Sequence, residues 1–174
     1  MLLRQKVRSF IMKYFVLQDS PEFKNAPQIT RWYEQIDVRD IRADTCYKLP
    51  EKQVFRINSS EHLVFTDIIL FPFFLVSPMV YEVILMYREA CLFRKVFLAE
   101  AETGKAQMYY LPVLEESSDI AVKKISYKNG CRISESIKNP KLKVLDLKKN
   151  LFWIRESQKR HIILSMDMAE SLIR

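Results

Sequence analysis

Within IDVRDIRADTCYKLPEK, residues 36–52, aspartates stand at 37, 40 and 44 and arginines at 39 and 42. Spacings of three and seven residues would gather the three carboxylates on one face of a helix. Such a cluster could hold a divalent cation or divide acid and base work among its members. The alternation of Ile36 and Val38 speaks for a strand instead, with Asp37 and Arg39 on one face and Asp40 on the other. The cluster then dissolves. Asp44-Thr45 reads as a turn whose side chains bond the nearby backbone, and Asp40 and Arg42 read as members of exposed charge pairs. The segment is therefore expected to be charged scaffold, neither catalytic nor metal-binding.

Other chemistry finds little support. The two histidines, His62 and His161, lie in no H-E-x-x-H or H-x-E frame, the spacings of zinc hydrolases and deaminases. Cys46, Cys91 and Cys131 are isolated, with no C-x-x-C pair for zinc or redox work. No G-x-S-x-G nucleophile elbow occurs. Only Gly104 and Gly130 are glycine, which excludes a P-loop or dinucleotide fingerprint by count. No catalytic motif is present, and neither a cofactor nor a metal is implied.

Compartment follows from the same residues. Scattered cysteines suit a reducing environment, where thiols pack as small hydrophobes. The start, MLLRQKVRSFIMKYFVL, is a poor signal peptide, because Lys13 interrupts its apolar run and no small-residue cleavage site follows. The longest uncharged run, residues 68–81, contains Pro72 and Pro78 and is too short to span a bilayer. The expectation is a cytoplasmic protein with no membrane partner.

At 174 residues, 49% hydrophobic and 12% aromatic, the chain is sized for one domain with a full core. KYFVLQ (13–18) reads as a first strand, APQITRWYEQ as a short helix and VFRI (54–57) as a strand. Ser77-Pro78 opens the clearest helix, PMVYEVILMYREA, with Ser77 as N-cap and an inward stripe of Val80, Val83, Ile84 and Tyr87. LFRKVFLAEAE and AQMYYLPVLEE form two strands about a glycine-bearing turn, and a second hairpin is expected around Asn129-Gly130. KLKVLDLKKNLFWIRESQKRHIILSMD reads as three strands, after which Asp167 caps a final helix with Glu170 completing a capping box. The sum is an α+β domain over residues 12–174, with a mixed but largely antiparallel sheet and a few packed helices. Residues 1–11 read as a dispensable N-terminal extension.

The net charge of +7 divides into +4 over residues 1–13, −5 over 14–119 and +8 over 120–174. A basic third suits nucleic acid or an acidic protein partner, though lysines scattered among strand residues also describe a solvated face. Phe152, Trp153 and Tyr127 among those lysines pair charge with stacking surface, which makes a nucleic-acid-binding module the competing reading. No named module fits it, and the acidic body argues against it.

The blocks IDVRDIRADTCYKLP, LVFTDIILFPFFLVS, a helix ending near Tyr87, YYLPVLEE and MDMAESLIR resemble, in that order, the signature blocks of a bacterial family. Its members are identified as immunity proteins of polymorphic toxin systems, formerly a domain of unknown function. The likeness runs over residues 12–174 and weakens between 117 and 160. It implies a protein that binds and neutralises a cognate toxin, without cofactor or catalysis. Trp32, Tyr33 and Trp153 are then candidate contact residues, since such inhibitors gain affinity from aromatic anchors in desolvated patches.

Overall fold

The computed structural model describes residues 14–19, 25–58, 62–87, 91–117, 149–156 and 159–173. The extension 1–11, the hairpin expected around Asn129-Gly130 and the first strand of KLKVLDL lie outside the described residues.

Among the described residues eight strands form two sheets. One holds five strands in the order β2 (Lys52–Ile57), β5 (Leu92–Glu100), β6 (Ala106–Val113), β4 (Leu75–Val76), β3 (Ile68–Ile69). Its pairings are antiparallel except β2 with β5. The other holds β1 (Tyr14–Val16), β8 (Lys159–Ser165) and β7 (Leu151–Glu156), all antiparallel. Helices α1 (Pro78–Met86) and α2 (Met166–Ile173) pack together and complete a single α+β arrangement.

Local sequence explains the elements. In β2 burial alternates strictly, with Gln53, Phe55 and Ile57 inward, as a sheet with one wet face requires. The β5–β6 hairpin turns through Gly104 at φ 70°, where a Cβ would be disfavoured. Ser77 caps α1 as its sequence suggests, its hydroxyl accepting from Val80 N at 3.4 Å and donating to Asp67 at 2.8 Å. Val80 and Ile84 are then buried against Phe74, Leu114, Trp153 and Met168, in a core shared by both sheets and both helices. A second core lies under the five-stranded sheet, where Ile36, Ile41, Cys46 and Leu49 pack with Phe55, Leu98, Tyr109 and Leu111.

The sheets are joined through the backbone. Beyond β6 the chain runs parallel to β7, with Ser117 N donating to Trp153 O at 2.9 Å and Trp153 N to Glu115 O at 3.1 Å. β7 is therefore paired on both edges, and Trp153 sits at the junction.

Three local expectations are corrected. Residues 36–51 form no strand but two 3-10 turns, Val38–Asp40 and Cys46–Lys48. The buried positions 36, 41, 46 and 49 follow neither a two- nor a 3.6-residue period, so the stretch winds irregularly and satisfies its backbone locally. APQITRWYEQ yields a single 3-10 turn, Trp32–Glu34, after Arg31 in the left-handed region at φ 48°. Ser165, not Asp167, caps α2: its hydroxyl accepts from Met168 N at 3.3 Å and donates to Asn150 Oδ1 at 2.9 Å. The helix begins directly off β8, which places Asp167 inside the first turn, where a carboxylate still complements the helix dipole. Among the described residues no helix is long and apolar enough to cross a membrane.

Candidate functional site

The carboxylates of residues 36–52 come apart. Asp37 caps the first 3-10 turn, accepting from Arg39 N at 2.9 Å, and pairs with the Arg39 guanidinium at 2.6 Å. Those bonds hold its carboxyl down at about 2. Asp40 pairs with Lys48 at 3.3 Å, and Thr45 Oγ1 donates to the Asp40 carbonyl at 3.2 Å. Each of these acids has its own cation, and Asp44 stands exposed in the turn.

The same segment forms one wall of a cleft of about 910 Å3 between the two sheets. Val38, Arg39, Ile41 and Arg42 line that wall, Leu70 to Phe74 another, and Trp153, Arg155, Arg160 and Ile162 of the β7–β8 hairpin a third. Strand alternation puts these last four on one face of the small sheet, with Trp153 opposite Ile162 and Arg155 opposite Arg160.

Trp153 is only 3% exposed and forms part of the floor. Its Nε1 donates to the Leu114 carbonyl at 3.0 Å, as a buried indole must find a partner. Its ring carries the Arg160 guanidinium at 4.5 Å and that of Arg155 at 5.6 Å from the centroid, both within cation–π range. Arg160 Nη1 also donates to the Val38 carbonyl at 3.1 Å, tying the hairpin to the 3-10 turn. Burial, then the like charges of Arg42 and Arg155, lower the Arg160 pKa, with Glu116 acting the other way. Glu116 pairs with Arg155 at 3.5 Å. Among the described residues no acid pairs with Arg42 or Arg160, and Arg42 Nε is buried without a hydrogen-bond acceptor.

The rim beside these charges is aromatic. Trp32 is half-buried and meets Tyr33, Phe73 and Phe71 edge-on at 5.9, 6.4 and 6.5 Å between centroids. Tyr33 is 67% and Phe71 72% exposed. The left-handed Arg31 turns the chain so that Trp32 points inward while Tyr33 stands out.

The structure thus separates the three aromatic candidates. Tyr33 is a surface ring, Trp32 its support, and Trp153 a buried member of the cleft that reaches the surface only through two arginines. Arg155, Arg160 and Phe71 did not emerge from the sequence, and Arg42, expected in an exposed charge pair, is instead half-buried with no acid partner among the described residues. The one signal for them was Trp-x-Arg on β7 with an arginine at the matching place across the Glu-Ser-Gln-Lys turn; nothing local connects that hairpin to Val38, 122 positions away.

No protein-family model, curated protein or solved structure matches the chain.

Proposed function

We propose that this protein is a stoichiometric inhibitor: it binds and neutralises a cognate protein toxin in the cytoplasm of the cell that makes it, through the cleft and its Tyr33–Phe71 rim. The observation that carries the reading is the adjacency of exposed aromatic rings to a cleft lined by four arginines. Tyrosine, tryptophan and arginine are the residues on which interface affinity concentrates, and rings already supported from below lose little entropy on binding. The resemblance of the sequence blocks to immunity proteins points the same way.

The test is co-expression with a secreted toxin whose gene neighbours that of this protein. Growth should be rescued in proportion to the dose of this protein, and the pair should co-purify near one to one. Protection that persists far below toxin stoichiometry would instead mean catalysis on the toxin or its target, and would overturn sequestration.

A further inference from the structure

The positive charge of the cleft has two sources that the charge totals keep apart. Arg39 and Arg42 belong to the net-acidic body, Arg155 and Arg160 to the net-basic third, and the fold brings all four to one concavity. Arg39 is neutralised by Asp37 and Arg155 by Glu116. Arg42 and Arg160 are the members with no ion pair among the described residues, and they lie close enough for Arg42 to disfavour the charge on Arg160. Arg155 stands directly opposite Arg160 across an antiparallel ladder, a pairing of like charges that sheets ordinarily avoid. A guanidinium presents its donors in a planar fork matched to the two oxygens of an oxyanion.

We propose that Arg42 and Arg160 form the docking point for a carboxylate on an acidic, apolar-flanked segment of a partner protein, which under the sequestration reading is the toxin. This deepens that reading and rests on it for the partner's identity. The walls around the two arginines suit the flanks of such a segment: Leu70 and Ile162 are apolar and half-buried, and Phe71 stands exposed at the rim. A nucleotide or nucleic acid fits less well. The Trp153 ring is 3% exposed and already engaged by two guanidinium groups, so it offers no open face for a base. Among the described residues no glycine lines the cleft to bring backbone N–H groups onto a phosphate.

The test uses the full chain at low ionic strength and follows anisotropy of a fluorescein-labelled peptide of alternating glutamate and leucine. The comparison probes are the same peptide with glutamine for glutamate and a single-stranded RNA of equal charge. The glutamate peptide should bind, with the glutamine peptide and the RNA each at least about tenfold weaker. Because Arg42 Nε has no hydrogen-bond acceptor among the described residues, Arg42→Gln should fold with an unchanged or raised melting temperature. It should also weaken the glutamate peptide about tenfold or more, the range of one charge-assisted hydrogen bond. Arg42→Lys should fall between, having charge without the fork. Equal affinity for the glutamine peptide, or an Arg42→Gln protein that binds the glutamate peptide as the parent does, would overturn the proposal. So would RNA binding tighter than the peptide and lost in the same variant, which would make this a phosphate site. The toxin separates the two readings. A toxin that co-purifies equally with the parent and with Arg42→Gln leaves sequestration standing and removes the carboxylate dock. Peptide binding that depends on Arg42, with no toxin retained, keeps the dock and removes sequestration.

Discussion

Replacing Trp153 by phenylalanine should damage the fold more than any surface contact. The indole Nε1 bonds the Leu114 carbonyl at 3.0 Å in buried surroundings, and phenylalanine would leave that acceptor unsatisfied, a cost of ~1–3 kcal/mol. The smaller ring also opens space beside Val80, Leu114 and Met168, which adds ~1 kcal/mol where relaxation is partial. The weaker cation–π contacts of Arg155 and Arg160 with a phenyl ring add a few tenths. The total is ~3 kcal/mol, or a fall in Tm of about 6–12 °C for a chain of this size. Urea unfolding followed by far-ultraviolet circular dichroism measures it, as a lower midpoint at unchanged slope. Tyr33→Ala is the contrast: at 67% exposure it should change stability by less than about 0.5 kcal/mol yet weaken toxin binding. A Trp153→Phe protein within about 0.5 kcal/mol of the parent that had nonetheless lost toxin affinity would refute this division between floor and rim.

Ser77→Ala removes both the α1 cap and the bond to Asp67 and should cost about 1 kcal/mol in the same urea assay. Burial, with Asp67 adding to it, pushes the Tyr109 phenol well above the ordinary value of about 10, while its hydroxyl donates to the Thr66 carbonyl at 2.7 Å. Its contribution is complete below about pH 10 and is lost as pH rises beyond, where only the unfolded chain ionises; Tyr109→Phe should flatten that part of the stability profile. Asp37 runs the other way: held down at about 2, it contributes fully above about pH 4 and loses its contribution as pH falls towards 2, a small effect that Asp37→Asn should abolish. Calcium, magnesium, manganese or zinc should leave the melting temperature unchanged, and a saturable rise lost in an Asp37→Ala/Asp40→Ala variant would restore the metal-site reading of residues 36–52.

The sequence was most informative where one period or one cap decides the structure. Ser77-Pro78 and the Val80/Ile84 stripe located α1, and the glycine turn at 104 located the β5–β6 hairpin, because both signals act within a few residues. The stretch 36–52 was read as a strand because Ile36 and Val38 alternate, yet its buried residues are spaced to follow the underside of a sheet whose strands come later in the chain. Of its charges, expected in exposed pairs, Asp40 pairs with Lys48, whereas Arg42 has no acid partner among the described residues. The cleft was illegible for a different reason. Summing charge by region assigned Arg42 to an acidic body and Arg160 to a basic third, whereas the Arg160–Val38 bond joins those regions in space. Trp153 is a candidate anchor by residue type alone, but β7 is paired on both edges and the indole faces the shared core.

Hydrogen–deuterium exchange of the protein alone and in its toxin complex tests the contact face most directly. Sequestration through the cleft predicts slowed exchange in residues 32–42, 70–74 and 153–162, with α1 and the outer edge of β2 unchanged. A complex in which protection falls on α1 or β2 while those three segments exchange as in the free protein would contradict it.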